Sequence, residues 1–323
     1  MTTNPYSRRN RPPDVTHDYF KKCPLCHPDV ESTNHGGTVI ETTPTHTTMK
    51  LKPVIIGTGY KGGTGKTTSL VSTADSLTGL GYTLRCVDAD SSNRTLTGIY
   101  PEAEADGRLV KVNLGVPGEF QLALENIAAS MTEDLAIIDM PGSAAEFFEE
   151  YFLNKTAEDF EMAGLRIIIA VTVANSAGSL RGIRELVRMF AARQHPMLVF
   201  KTNMANTHRT EFNLTETNTG AGVAVAAENR IIEIPKLGEL QKKEFNKCNA
   251  APSDFLRGGR AAEKLGLTHL SCLEWHLFLR KVLGSVQPYA EWITGKPIPK
   301  LPDSAKPQSA HAATFDAMDD DDL

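Results

Sequence analysis

Lys61-Gly62-Gly63-Thr64-Gly65-Lys66-Thr67-Thr68 is a stretch whose residue types and spacing suit one task, the holding of phosphate oxygens. Glycines at 62, 63 and 65 let consecutive backbone N–H groups converge on an oxyanion, because a Cβ there would obstruct both the conformation and the close approach. A helix beginning near Lys66 adds the positive end of its dipole. Lys66 supplies a point charge to the β- and γ-phosphates, and the Thr67 hydroxyl suits a Mg²⁺ ion. Such a loop works when a strand feeds it and a helix leaves it. Val54-Ile55-Ile56-Gly57 precedes it as an apolar strand, and Leu70, Val71, Ala74 and Leu77 follow with helical spacing. The chain is therefore expected to bind a nucleotide through residues 61–68.

Two further segments place acids where such a site needs them. Thr83-Leu84-Arg85-Cys86-Val87-Asp88-Ala89-Asp90 reads as a strand ending in two carboxylates, and Leu135-Ala136-Ile137-Ile138-Asp139-Met140-Pro141-Gly142 as a buried strand followed by one. An acid after an apolar strand can also simply cap a helix. The three segments together, in this order, favour the nucleotide site.

The early lysine is informative. The usual phosphate loop has glycine six residues before its lysine, and that position is Tyr60. The sequence from Lys61 to Thr68 instead resembles the deviant Walker A motif of the ParA/MinD family of ATPases. The resemblance implies a P-loop NTPase fold of the deviant Walker A type, with ATP and Mg²⁺ as ligands. It implies that Lys61 reaches the partner's ATP in a face-to-face homodimer formed on ATP binding. It further implies catalytic roles for Lys61, Lys66, Asp90 and Asp139, Asp90 orienting the attacking water. Asp139, Asp88 and Thr67 would then attend the Mg²⁺, by hydroxyl or through water. The likeness continues less sharply to about residue 290. Asn203, after the strand Leu198-Val199-Phe200-Lys201-Thr202, stands where the family often contacts adenine, although a helix cap explains it equally. Pro235, after Ile231-Ile232-Glu233-Ile234, stands where the family lines the base pocket.

Composition agrees with an α/β class. Residues 49–295 are long enough for one large domain, and their continuous apolar strands alternating with amphipathic helices indicate a doubly wound, mostly parallel sheet flanked by helices. No run of apolar residues reaches the length of a membrane span and no apolar leader opens the chain, so a cytoplasmic protein without membrane attachment is expected. Cys86 and Cys272 lie within apolar patterns and read as small core residues.

The two ends differ in kind. Residues 1–48 form a polar extension without periodicity, expected to be disordered. Within it Cys23-Pro24-Leu25-Cys26-His27 has the spacing of a haem attachment, which an exported compartment would require. Zn²⁺ held by Cys23 and Cys26 with two of His17, His27, His35 and His46 is the better metal reading, beside a plain exposed pair with no metal. Residues 296–323 are expected to be a disordered acidic tail ending Asp319-Asp320-Asp321-Asp322-Leu323, or a linear peptide anchored by Phe315, Met318 and Leu323.

The formal net charge of −5 does not announce a nucleic-acid partner. Lys236, Lys242, Lys243, Lys247, Arg257, Arg260 and Lys264 nevertheless gather in the C-terminal third. There the family resemblance implies non-specific DNA binding, directly or through a DNA-bound adaptor protein; a solvated helix face explains the same residues. The reading favoured by all of this is an ATP hydrolase of the slow, switch type that partitions or positions cargo, plasmid DNA or a conjugative-transfer complex. A positioning factor for a secretion or polymer-synthesis complex, and a metabolic P-loop enzyme acting on a small molecule, stay open.

Overall fold

The computed structural model describes residues 50–59, 63–174, 177–202, 214 and 217–299, with the backbone alone over 177–181. Seven strands form one sheet: β1 (Lys52–Thr58), β2 (Leu84–Asp88), β3 (Leu109–Lys111), β4 (Leu135–Asp139), β5 (Leu165–Ala174), β6 (Met197–Thr202) and β7 (Ile231–Ile234). Every pairing is parallel, in the order β3-β2-β4-β1-β5-β6-β7. The order reverses about β1, the arrangement of a doubly wound sheet with its ligand crevice at the carboxyl ends.

Helices fill the crossovers: α1 (Lys66–Gly79), α2 (Thr95–Ile99), α3 (Pro101–Ala105), α4 (Glu119–Ser130), α5 (Ala145–Phe152), α6 (Ala157–Met162), α7 (Ala177–Ala192) and α8 (Asn218–Ala226). Beyond β7 the chain adds α9 (Glu239–Cys248), α10 (Arg260–Leu265), α11 (His269–Val286) and α12 (Ala290–Thr294).

The continuous apolar strands are explained by burial on both faces. Val54, Ile56, Ile138 and Ile169 join Phe120, Phe148 and Phe190 of α4, α5 and α7. Their neighbours Ile55, Ile137 and Ile168 join Leu70 of α1 and Trp275 of α11. With a period of two, each strand feeds both cores. Gly57 lets α1 approach the sheet closely: a Cβ there would stand 3.1 Å from Leu70 Cδ2. The C-terminal helices close the second core around Trp275, whose ring stacks on Phe255 at 4.3 Å and whose indole N–H donates to the buried Glu244 Oε2 at 2.7 Å. Packing runs on past Gly295, since the Tyr82 hydroxyl donates to the Lys296 carbonyl at 3.0 Å and Lys296 pairs with Asp134.

Cys86 and Cys272 are buried free thiols, as expected of core residues. Burial pushes the Cys86 thiol up to about 12. Among the described residues no helix is long and apolar enough to cross a membrane. The Cys23–Cys26 pair and the acidic tail from residue 300 onward lie outside the described residues.

Candidate nucleotide site

The loop between β1 and α1 occupies the carboxyl end of the central strand. Gly63 and Gly65 have φ of 77° and 86°, the left-handed region that favours glycine, and Gly65 is the cap from which α1 begins. Ser69 fastens the first turn by donating to the Gly65 carbonyl at 2.7 Å. Lys61 and Gly62 lie outside the described residues.

Three expected site residues meet. Lys66 Nζ stands 2.6 Å from Asp139 Oδ1, and the Thr67 hydroxyl donates to Asp139 Oδ2 at 2.7 Å. Register explains the meeting: Gly57 on β1 pairs with Asp139 on β4, so the last residue of β4 faces the loop that β1 starts. Asp139 is fully buried. Burial raises its carboxyl above the ordinary range, the Asp88 charge adds to that, and Lys66 and Thr67 oppose both.

Asp88 sits beside Asp139 across the β2–β4 ladder, with no solvent exposure. Its Oδ2 accepts from the backbone N–H and the hydroxyl of Thr97, each at 2.8 Å. Its Oδ1 accepts no hydrogen bond among the described residues, and Arg94 Nη1 stands 4.0 Å from it. Arg94, with φ of 44°, directs its guanidinium to the carbonyls of Asp88 and Val112 and so pins the β2–α2 connection to β3. Asp90 is also buried, and its carboxylate caps the turn that it opens: Oδ1 accepts from the N–H groups of Ser92 at 3.1 Å and Asn93 at 3.3 Å.

The far side of the loop is held by a contact that spacing did not suggest. The Thr202 hydroxyl, at the end of β6, donates to the Thr64 carbonyl at 2.9 Å. Ile234 pairs with Thr202, which brings the half-buried Pro235 to the same end of the sheet. Thr68 lies half-buried in the first turn of α1. Asn203 lies outside the described residues.

The donor set suits a divalent cation beside a triphosphate. The Thr67 hydroxyl donates to an Asp139 carboxylate oxygen, and Asp88 Oδ1, which accepts no hydrogen bond among the described residues, is a buried acceptor on the neighbouring strand. Oxygen-only ligation of this kind fits Mg²⁺. Thr97, Arg94 and Thr202 are the site residues that sequence reasoning missed. A faint signal existed, a threonine ending an apolar strand at 202 and polar residues after the Asp88-x-Asp90 pair.

No family model matches the chain, and no curated protein matches it. Among solved structures, the MinC:MinD cell division complex of Aquifex aeolicus is similar at 15% identity, over 77% of this chain and 98% of that one, with a TM-score of 0.45. MinD with Mg-ADP from Pyrococcus horikoshii OT3 is similar at 12% identity, over 75% and 99%, with a TM-score of 0.44. A plasmid partition protein of Borrelia burgdorferi B31 bound to AMPPNP is similar at 14% identity, over 71% and 99%, with a TM-score of 0.39. Independently of these likenesses, the chain's own parallel sheet, with its phosphate loop after the central strand and an acid at the end of the adjacent strand, has the architecture of a P-loop nucleotide-binding domain.

Proposed function

We propose that this chain is a switch-type ATPase that dimerises on ATP and uses slow hydrolysis to partition or position cargo, plasmid DNA or a conjugative-transfer complex. The observation that carries the reading is the Lys66–Asp139–Thr67 cluster under a loop that also contains Lys61. ATP is the substrate. The β- and γ-phosphates compete with Asp139 for Lys66, so entry of substrate frees a buried carboxylate at the end of β4. Bound Mg²⁺ supplies charge neutralisation at the phosphates, and Thr67, Asp139 and Asp88 are the residues that would hold it. The freed Asp139 lies directly before Met140-Pro141-Gly142, a segment placed to report the change towards α5.

The DNA part of the reading is supported by the C-terminal helices. Lys243, Lys247, Arg257 and Lys264 are exposed and have no ion-pair partner among the described residues, whereas Lys242 pairs with Glu239 and Arg260 with Asp254. Unpaired cations on one third of the chain are free to meet phosphates, with steep salt dependence.

Light scattering of the full chain with Mg²⁺ and a non-hydrolysable ATP analogue tests the mechanism. Wild type should dimerise, and Lys61→Ala should bind nucleotide as a monomer. A wild type that stays monomeric under these conditions removes the two-subunit switch.

A further inference from the structure

At the opposite end of the sheet lies a cavity of about 350 Å³ lined by Arg166, His195, Glu228, Arg230 and Trp292 among others. Arg166 opens β5, His195 precedes β6 and Arg230 precedes β7, so the cavity sits at the amino ends of these strands. At ~3.3 Å per residue, β5 alone separates it from the carboxyl edge of the sheet by roughly 30 Å. It is no part of the nucleotide site.

Its electrostatics are unusual. The Arg166 and Arg230 guanidinium carbons lie 4.6 Å and 4.1 Å from the centroid of the same ring, that of Trp292. Such stacking fixes both planes and leaves their edges for hydrogen bonding. Arg166 Nη1 donates to the carbonyls of Trp292 and Ile293, the end of α12, and its other N–H groups have no acceptor among the described residues. Arg230 meets one carboxylate, that of Glu228. The carboxylate in direct contact belongs to Arg230 alone, and Arg166 makes no ion pair among the described residues. Burial and the Arg230 charge pull the Arg166 guanidinium below its ordinary range, and Glu161 offsets this in part. The wall holds a further unmet polar atom: His195 is 3% exposed, its Nε2 faces the Lys155 carbonyl at 3.2 Å, and its Nδ1 has no partner among the described residues.

The carbonyl ends of α7, α8 and α12 explain why cations are tolerated here. They do not use the free guanidinium edges, whose planar donor forks match a carboxylate or a phosphate in bidentate geometry. We propose that this cavity is a second ligand site, which takes the oxyanion group of a small carboxylated or phosphorylated metabolite between Arg166 and Arg230. Glu228 competes with that group for Arg230.

The test uses the full chain saturated with ADP and Mg²⁺, so that the phosphate loop is filled, at constant ionic strength set with chloride. Inorganic phosphate and malonate are titrated separately while tryptophan emission is followed. Trp292→Phe supplies the blank, because the other tryptophan, Trp275, is buried in the C-terminal core. A saturable change with one anion and not the other identifies which chemistry the site takes. Arg230→Gln should weaken it about tenfold or more, and Glu228→Gln should tighten it. Arg166→Gln should abolish it; Arg230→Gln remains the decisive variant should loss of the α12 contacts unfold that protein. No saturable response to either anion, or an affinity unchanged in both Arg230→Gln and Glu228→Gln, overturns the proposal.

Discussion

At the carboxyl ends of the strands Lys66, Thr67 and Asp139 satisfy one another, whereas at the amino ends Arg166 and Arg230 share one aromatic ring and only Arg230 meets a carboxylate. Both ends bury charge at the edge of the same sheet, yet they do so with opposite accounting. The nucleotide end holds a cation and an anion of matched reach, so neither is left without a partner before substrate arrives. The far end holds an excess of cation whose hydrogen-bonding edges stay open. A buried ion pair is expensive to break by removing one member, because the other remains buried and uncompensated. An open guanidinium edge lacks that penalty. Removal of charge should therefore injure the first end and spare the second.

The largest expected break is Lys66→Ala. It removes the charge that phosphates need and leaves Asp139 buried alone, at a stability cost of about 3–5 kcal/mol. Calorimetry should show ATP binding abolished, and thermal unfolding should show a large fall. The double variant Lys66→Met/Asp139→Asn should regain most of the stability while still failing to bind ATP. If the double variant is as unstable as Lys66→Ala, the pair is not what holds this end together. Arg230→Gln, at the other end, should unfold at close to the wild-type temperature.

Asp90→Ala separates binding from turnover within the nucleotide end. Under the proposed function Lys66 acts on phosphate charge and Asp90 on the attacking water, so the variant should keep its ATP affinity and lose hydrolysis. Its carboxylate also caps the turn at Ser92 and Asn93, and that loss costs about 1 kcal/mol. Loss of ATP affinity equal to that of Lys66→Ala would leave Asp90 with no role of its own in turnover.

The two ends also differ in how they could be read in advance. Phosphate binding needs a contiguous loop, so Gly62 to Thr68 announced itself, and strands β2 and β4 showed their acids because an apolar run stops at each. The seven-stranded sheet agrees with the expected parallel class, and turned out wholly parallel. Thr97, nine residues after Asp88, and Thr202, distant in sequence from Thr64, meet their partners through loop geometry and sheet register, which no spacing rule encodes. The amino-end cavity was wholly hidden, since residues 166, 195, 228 with 230, and 292 come from four separate parts of the chain and each alone looks like an ordinary surface arginine, glutamate, histidine or tryptophan. Lys61 and Asn203 rest on the family resemblance, and lie outside the described residues.

Asp75 sharpens the comparison from the carboxylate side. It lies on α1 and accepts from the N–H and hydroxyl of Ser253 at 2.8 Å and 2.7 Å, with no cation within ion-pair distance among the described residues. Burial outweighs those bonds and lifts its pKa from 3.8 to about 6. The folded state therefore binds this proton more tightly than the unfolded chain. The resulting stability is fully present below pH 3.8 and is lost as pH rises through about 6. At neutral pH the charged form is a burden of up to about 3 kcal/mol by the size of the shift. Asp75→Asn keeps an acceptor for Ser253 and removes the charge, so it should raise stability by about 1–2 kcal/mol at pH 7 and by nothing near pH 4. Equal gains at both pH values in denaturant titrations would show that charge is not the cause.

The smallest effect is expected where a carboxylate at the nucleotide end is held twice over. Asp88 Oδ2 accepts from both the backbone N–H and the hydroxyl of Thr97, while Oδ1 accepts no hydrogen bond among the described residues and lies 4.0 Å from Arg94 Nη1. Thr97→Val deletes the hydroxyl and nearly preserves shape, and the backbone N–H continues to hold the carboxylate in place. One hydrogen bond to a charged group should then be lost, costing about 1 kcal/mol because its twin survives. The same reasoning predicts that ATP affinity stays within about twofold of wild type, since Thr97 acts through the orientation of Asp88. Asp88→Asn is the contrast. It alters the Oδ1 oxygen or replaces it with a donor, and should weaken the Mg²⁺ dependence of turnover while Thr97→Val leaves it in place. Magnesium titrations of hydrolysis in the two variants decide the matter: a matching loss in both would mean that the Thr97 hydroxyl bond, and not the Oδ1 oxygen, is what the site draws on at Asp88.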